Sequence, residues 1–119
     1  MERSPVVKKS FEFAVKIVMA IRELRGKGSE RELLSQLLRS GTSIGANVSE
    51  AQSAQSKKDF ISKMNIALKE AMETRYWLKL LKAVGPSTEQ IDELQLEVEE
   101  LIRILVKIVK TSRETEEEE

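Results

Sequence analysis

The sequence predicts an all-α protein, an up-and-down antiparallel bundle of four amphipathic helices. Apolar residues recur at intervals of three and four positions in four segments, which is the period of one helix face. Short stretches that contain glycine, proline or serine separate these segments. The composition, 40% hydrophobic and 34% charged over 119 residues, is typical of one domain of solvated helices. Because the connections are short, consecutive helices are expected to lie antiparallel.

Helix 1 is predicted over residues 5–25. Ser4 can cap its first turn and Pro5 suits the first helical position, although Ser10 is an alternative start. The segment 26–28 contains two glycines, which end the helix because glycine readily adopts a left-handed turn. The face expected to enter the core comprises Phe11, Ala14, Ile17, Val18, Ile21 and Leu24.

Helix 2 is predicted over residues 30–52, after a capping box formed by Ser29 and Glu32. Two glycines lie inside it, and a glycine in a helix interior costs about 1 kcal/mol relative to alanine. Gly41 and Gly45 therefore indicate close approach of a neighbouring helix, or else a local kink. The expected core face comprises Leu34, Leu37, Gly41, Ile44, Val48 and Ala51.

Helix 3 is predicted over residues 56–84. Either Ser53 or Ser56 can cap its first turn, and the pair Gly85-Pro86 ends it because neither residue continues a helix well. The expected core face comprises Phe60, Met64, Ala67, Ala71, Leu78 and Leu81.

Helix 4 is predicted over residues 88–111, after a second capping box formed by Ser87 and Gln90. The acidic residues 114–119 show no apolar periodicity and are expected to be disordered, so the folded domain is predicted over residues 1–113. The expected core face comprises Ile91, Leu94, Val98, Leu101, Leu105 and Ile108.

The chain contains neither cysteine nor histidine. This composition excludes disulfides, thiolate metal sites and Ser-His or Cys-His nucleophile pairs, and it removes the commonest general base. We therefore expect no enzymatic activity, no catalytic residue, no metal and no cofactor. The sequence lacks the apolar run of a signal peptide or a membrane span, so a bacterial cytoplasmic protein without a membrane partner is expected.

Helices 1 and 4 have more apolar residues than one core face requires. Phe13 and Val15 on helix 1, together with Ile102, Val106 and Val109 on helix 4, supply the additional apolar positions. A contiguous apolar surface exposed to water is rare in soluble monomers. These five residues are therefore predicted to form an interface between copies of the chain.

Charge is unevenly distributed along the chain although the net charge is zero. Residues 1–84 contain 16 Lys and Arg against 9 Asp and Glu, a net charge of +7, whereas residues 85–119 contain 4 against 11, a net charge of −7. These residues either form ordinary solvated faces or create a basic surface for an anionic partner. The residues predicted to bind nucleic acid or another partner are Arg39, Lys57, Lys58, Lys63, Lys69, Arg75, Lys79 and Lys82.

Polar residues follow the core face of helix 2 and recur on helix 3. Polar groups this close to a core need hydrogen-bond partners, so a structural network is predicted between the two helices. A carboxylate metal site is disfavoured because di-iron bundles pair glutamate with histidine, and ligand binding is a further alternative. Trp77 and Tyr76 are expected to pack rather than to be exposed for base stacking. The predicted network comprises Ser43, Asn47, Glu50, Glu70 and Glu73.

The segment 40–81 carries a recognisable series of motifs. They are Ser-Ile-x-x-Asn at Ser43, Ile44 and Asn47, then Glu50, Lys-Asp-Phe over 58–60, Ile-Ala-x-x-Glu-x-x-Glu over 66–73, and the triplet Tyr76-Trp77-Leu78. This series resembles the signature of bacterial four-helix-bundle proteins encoded by intervening sequences of 23S ribosomal RNA genes. The resemblance extends from helix 1 to Lys110. Two positions depart from the family pattern: Gly45 stands where the family often has a proline, and Ala51 where it often has a glycine. These departures bear on the kink and the end of helix 2 and leave the expected fold unchanged.

The resemblance implies an up-and-down bundle that assembles as a ring-like homopentamer. The family is also similar to the accessory variability determinant of diversity-generating retroelements, a basic pentamer that works with a reverse transcriptase and nucleic acid. Two functions are therefore predicted. The first is a non-enzymatic oligomeric scaffold that binds nucleic acid, with structured RNA favoured, or a nucleic-acid enzyme such as a reverse transcriptase. The second is a protein-protein interaction module without nucleic-acid binding, and an enzyme is a distant third.

Overall fold

The computed structural model describes residues 5–27, 30–85 and 88–118. Within these ranges the chain forms the helices α1 (Pro5–Leu24), α2 (Arg31–Ala51), α3 (Lys57–Val84) and α4 (Glu89–Glu118), and it forms no strand. The predicted all-α fold is therefore confirmed. No helix in the described part of the chain combines the length and the hydropathy that a membrane span requires.

Each helix packs beside the next one in the chain, and α4 returns to pack against α1. Ion pairs between α1 and α4 show their relative direction. Lys9 pairs with Glu100, and Lys16, two turns further along α1, pairs with Glu93. Residue numbers therefore rise along α1 while they fall along α4, as in an antiparallel pair. In this arrangement α1 and α3 occupy opposite corners of the bundle.

The core consists largely of the faces predicted on helices 2, 3 and 4. Among the predicted core residues of these helices, Phe60 and Ile108 are partly exposed and the others are buried. Close packing of these apolar side chains is the main favourable contribution to folding. The largest fully buried side chains are Phe13, Ile17, Ile21, Leu34, Leu37, Ile44, Met64, Leu78, Leu81, Ile91, Leu94 and Leu105.

The core face predicted on helix 1 is wrong at one edge. Phe11 is 68% exposed, and Ala14 and Val18 are only partly buried, whereas Phe13 is buried. Apolar residues occur around most of the circumference of α1, so their period does not determine which side enters the bundle. The buried residues of α1 are Val6, Ser10, Phe13, Ile17, Ala20, Ile21 and Leu24.

The five residues predicted to form an interface divide into two groups. Phe13, Ile102 and Val109 belong to the core of the single chain, with exposed fractions of 1%, 9% and 5%. The expectation that these three side chains are exposed is therefore wrong. Val15 and Val106 are exposed and remain available to a partner.

Two hydroxyl side chains cap the helices of the second half. The Ser56 hydroxyl accepts a hydrogen bond from the Asp59 amide at 3.0 Å, so Ser56 is the cap of α3. The Thr88 hydroxyl accepts one from the Ile91 amide at 3.2 Å, which places the start of α4 one residue later than predicted. Gly85, with φ of 72°, ends α3 as expected.

α2 begins at Arg31, one residue later than predicted. Glu30 is the residue before the helix, and its side chain makes no capping hydrogen bond. Gly26, with φ of 79°, lies in the turn after α1, which ends at Leu24. The predicted roles of Ser4, Gly28, Ser29, Pro86 and Ser87 lie outside the described residues.

The last helix is longer than the sequence analysis predicted. α4 extends to Glu118, whereas the predicted end was residue 111 and disorder was expected from residue 114. That expectation is wrong for residues 114–118. Glutamate is a good helix former, and this segment has no glycine or proline to end the helix.

α1 and α2 approach each other closely at the two glycines of α2. A Cβ atom at Gly41 would lie 2.9 Å from Cγ1 of Ile17, and one at Gly45 would lie 3.0 Å from the carbonyl oxygen of Ser10. Both glycines lie within an uninterrupted helix. Of the two explanations offered by the sequence, close approach therefore accounts for the glycines.

The substitution Gly45→Ala should destabilise the protein because the added methyl group would meet the backbone of α1, which can yield only if the two helices separate. We expect the free energy of unfolding to fall by about 1–3 kcal/mol, despite the gain of about 1 kcal/mol in helix propensity. Urea unfolding followed by circular dichroism measures the change. Ser49→Ala, one turn later and exposed, is the control and should change stability by less than about 0.5 kcal/mol. A Gly45→Ala variant as stable as the wild type would contradict the close contact.

Candidate nucleic-acid interface

Arg39, Lys63, Arg75 and Lys82, which are among the eight cations predicted to bind a partner, form ion pairs between helices at the surface of the bundle. Their carboxylate partners lie on a neighbouring helix. The longest of these pairs joins Nζ of Lys63 to Oε1 of Glu50 at 3.5 Å. Pairing offsets the positive charge of these side chains and competes with an external anion. The pairs are Arg39 with Glu70 and Glu73, Lys63 with Glu50, Arg75 with Glu99, and Lys82 with Asp92.

Carboxylates of α4 bind cations on both neighbouring helices. On the α1 side, Lys16 lies 3.0 Å from Glu97, next to the pair that Lys9 forms with Glu100. On the α3 side, α4 supplies the partners of Arg75 and Lys82. The negative charge of the last third of the chain therefore meets the positive charge of the earlier helices within one bundle. The eight predicted cations do not form a single unpaired surface.

The outer face of α3 carries three further predicted lysines. Seven residues recur along it at intervals of four and three, and all of them are exposed except Asn65, which is partly buried. They include no carboxylate, and Lys58, Lys69 and Lys79 form no ion pair within the described ranges. The face is about 32 Å long. These residues, the outer stripe, are Lys58, Ser62, Asn65, Lys69, Met72, Tyr76 and Lys79.

Lys57 is distinct from these three lysines. It is the first residue of α3, it is partly buried, and its side chain is already engaged in a polar or charged contact. We therefore exclude Lys57 from the outer stripe, although it is one of the eight cations predicted to bind a partner.

The aromatic pair on α3 has one exposed and one partly buried member. Tyr76 is 57% exposed, so the expectation that it packs in the interior is wrong, whereas Trp77 is partly buried. The two rings contact edge to face, with centroids 5.2 Å apart and an interplanar angle of 71°. The spacing of Tyr76 from the lysines could have predicted its exposure. It lies seven residues after Lys69 and three before Lys79, on the face opposite the core.

A charged network joins α2 to α3 beside the outer stripe. The guanidinium of Arg39 lies 3.2 Å from the carboxylate of Glu70 and also binds Glu73, while the indole N–H of Trp77 donates to Glu73 at 2.9 Å. The hydrogen bond from Trp77 and the guanidinium of Arg39 hold the pKa of Glu73 below its ordinary value. The same contact with Glu73 raises the pKa of Arg39.

The other members of the predicted network make more local contacts. The Ser43 hydroxyl donates to the carbonyl of Arg39 at 2.6 Å, and the Asn47 amide donates to the carbonyl of Ser43 at 2.8 Å. Serine and asparagine readily bond to the carbonyl one turn earlier, which satisfies them without a second helix. Glu50 does reach α3, where it pairs with Lys63. The interhelical network is therefore smaller than the predicted set.

Thr74, which was not predicted as part of the network, makes a buried polar contact between α3 and α2. Oγ1 of Thr74 lies 2.9 Å from Oγ of Ser40 and 2.8 Å from the carbonyl oxygen of Glu70, and both hydroxyl side chains are buried. The position of Thr74, between Ala71 and Leu78 at core spacing, was the signal that could have identified it.

The carboxylates of the described residues do not assemble a metal centre. No group of three or more His, Cys, Asp or Glu side chains in those ranges is placed to hold an ion. Glu70 and Glu73 instead bind the guanidinium of Arg39, a partner that competes with any cation.

A second surface feature is the groove between α1 and α2. It has a volume of about 330 Å³ and includes one charged side chain in its lining. Unlike the other three helix contacts, the α1–α2 contact contains no ion pair within the described ranges. The groove is lined by Val7, Lys8, Phe11, Gly45 and Ser49.

Comparison with protein families gives a match over nearly the whole chain. The family described as 23S rRNA-intervening sequence protein matches residues 2–107. The chain belongs to this family. The resemblance identified from the motifs of α2 and α3 is thus confirmed.

A solved structure of similar fold supports the family assignment. It is the crystal structure of a protein with unknown function from the S23 ribosomal protein family of Bacteroides thetaiotaomicron VPI-5482. The two chains are 48% identical, and the match covers 88% of this chain and 98% of that chain with a TM-score of 0.83. A comparison with curated proteins gave no significant match.

The substitution Glu73→Gln should make the protein less sensitive to acid. Because the pKa of Glu73 is lowered from 4.5 in the folded state, its ionised form contributes stability above pH 4.5 that is lost as the pH falls through the folded-state pKa. Glutamine retains an acceptor for Trp77 and does not titrate. Urea unfolding at neutral and acid pH should show a smaller loss of stability for Glu73→Gln than for the wild type.

The matched control is Glu23→Gln on α1, where the carboxylate is exposed and forms no ion pair with a described residue. This variant should lose stability in parallel with the wild type. An identical acid response in all three proteins would show that the Arg39–Glu73–Trp77 contact does not contribute to folding.

Proposed function

We propose that this intervening-sequence family protein is a non-enzymatic, self-associating bundle that binds nucleic acid, with RNA favoured, through the outer stripe of α3. The observation that carries this proposal is the exposure of Lys58, Lys69 and Lys79 on one face that contains no carboxylate. Phosphate groups bind clustered cations whatever the base sequence. A nucleic-acid backbone is therefore a partner that the face suits.

Self-association is proposed to involve α1, and the family resemblance favours five copies. Phe11, Val15 and Met19 lie four residues apart along α1, with exposed fractions of 68%, 46% and 50%. Burial of such a stripe between copies would remove apolar surface from water. Since α1 and α3 occupy opposite corners of the bundle, association through α1 leaves the outer stripe accessible to nucleic acid.

The absence of catalysis is part of the proposal. The chain has no histidine or cysteine, and the two carboxylates of α3 nearest the bundle interior, Glu70 and Glu73, bind Arg39. A general acid or base needs a carboxyl group that can exchange a proton near neutral pH, and the pKa of Glu73 is shifted in the opposite direction.

A second candidate is a protein-protein interaction module without nucleic-acid binding. Met72 and Tyr76 give the outer stripe exposed apolar area between its lysines. An acidic protein, or a nucleic-acid enzyme such as a reverse transcriptase, would also fit this combination. Nuclease treatment separates the two functions, because digestion removes a nucleic-acid partner and leaves a protein partner bound.

Replacing Lys58, Lys69 and Lys79 with glutamate should weaken RNA binding roughly tenfold or more, because each lysine that contacts a phosphate is converted into a repelling charge. Fluorescence anisotropy with a labelled RNA, at salt concentrations between about 50 and 200 mM, measures both the affinity and its salt dependence. The wild type should show the steeper dependence.

The control for this variant replaces Arg103, Lys107 and Lys110 on α4 with glutamate. These residues are also exposed, and the change in net charge is the same. The control should retain most of the affinity. Equal losses in both variants would indicate a response to net charge alone, and unchanged binding by the α3 variant would contradict the proposed interface. A partner that remains bound after nuclease treatment and in high salt would favour the interaction module.

Replacing Phe11 and Val15 with serine should lower the native mass of the protein, because the apolar contact between copies is lost. Sedimentation measurements over a range of concentrations, with circular dichroism to verify helix content, provide the test. Leu96→Ser is the matched control, since Leu96 is an exposed apolar residue of α4. An assembly that is unaffected by the α1 variant but dissociates with Leu96→Ser would place the interface on α4 instead.

A further inference from the structure

Tyr76 is the only aromatic residue of the outer stripe, and its surroundings restrict its orientation. The ring of Tyr76 contacts the ring of Trp77 edge to face. The indole N–H of Trp77 donates to Glu73, and Glu73 in turn binds Arg39 of α2. A ring held in this way loses less conformational freedom when a ligand packs on it. Because 57% of Tyr76 remains exposed, part of the ring is accessible to a planar ligand.

Lysines lie on both sides of this ring along α3. Lys69 precedes Tyr76 by seven residues and Lys79 follows it by three, which corresponds to about 10 and 5 Å along the helix axis. The two lysines are thus about 15 Å apart, a length that about four nucleotides cover at the 3.4 Å rise of a stacked strand. Neither lysine is paired with a described carboxylate.

We propose that Tyr76 is a stacking platform for an unpaired base, and that Lys69 and Lys79 bind phosphates on either side of it. The ligand class is therefore an unpaired segment of nucleic acid, such as a single strand or the loop of a structured RNA. This inference rests on the proposed nucleic-acid binding and adds to it a preference for unpaired over duplex ligands.

The preference for unpaired nucleic acid follows from the accessibility of the base faces. Bases in a duplex stack on one another, and their faces are inaccessible to a ring that projects from the outside of a bundle. In an unpaired segment a base can turn outward, and stacking on an aromatic side chain then contributes alongside the phosphate contacts. Met72, one turn before Tyr76, adds exposed apolar surface beside the ring.

Substitution of Tyr76 tests this inference. The probes are a labelled uridine oligomer of about 12 nucleotides, within the usual site sizes for single strands, and an RNA duplex of equal length. Tyr76→Leu removes the ring but retains an apolar side chain, and it should weaken binding of the single strand by about 5- to 150-fold. Tyr76→Phe retains the ring and should bind like the wild type. Binding of the duplex should be weaker than that of the single strand and unaffected by either substitution.

Trp77 provides an independent readout because it is the only tryptophan of the chain. A base that stacks on Tyr76 lies beside the indole, so the single strand should change tryptophan emission in the wild type and in Tyr76→Phe. Circular dichroism verifies that each variant is folded.

The possible results separate this inference from the function on which it rests. If reversing the three lysines abolishes binding but Tyr76→Leu binds the single strand as tightly as the wild type, the stacking platform is overturned and the phosphate interface stands. Equal affinity for single strand and duplex would also overturn the stacking platform. If the wild type binds neither probe, the proposed nucleic-acid function itself fails.

Discussion

Carboxylates at the contacts between helices decide which cations of this bundle can meet a partner. Arg39, Lys63, Arg75 and Lys82 bind acidic side chains of a neighbouring helix, and α4 supplies those that bind Arg75 and Lys82. The charges of these four cations are thus compensated within the fold. The lysines of the outer stripe of α3 differ from them, because they are exposed and form no ion pair with a described residue, and this difference underlies the proposed function.

The α1–α2 contact is stabilised differently from the other three. Gly41 and Gly45 allow the two backbones to approach, and no ion pair crosses this contact in the part of the chain that the structure describes. The resulting edge is apolar and continues into the exposed residue Phe11. Because α1 and α3 occupy opposite corners, association through α1 would allow a copy of the chain and a nucleic acid on the outer stripe to bind simultaneously.

Sequence reasoning was most reliable where burial follows directly from helix period. On α2 the three-four pattern identified the core face, including Gly41, because the apolar residues of that helix follow a single stripe. On α1 the same reasoning failed, since Phe11 and Phe13 both fit apolar stripes and local spacing cannot distinguish them. Thr74, the buried partner of Ser40, was missed for a related reason, because it lies at core spacing on α3 and its hydrogen-bond partner is on another helix.

The sequence by itself determined the helical class, the approximate extent of the helices and the family, because these depend on local periodicity, on helix-ending residues and on motifs within one segment. It also excluded chemistry that requires histidine or cysteine. Only the tertiary structure decided which lysines are paired, that Tyr76 is exposed, and that Phe13, Ile102 and Val109 belong to the core. Pairing and burial depend on distances between residues that are far apart in the chain, and these distances exist only once the four helices have packed.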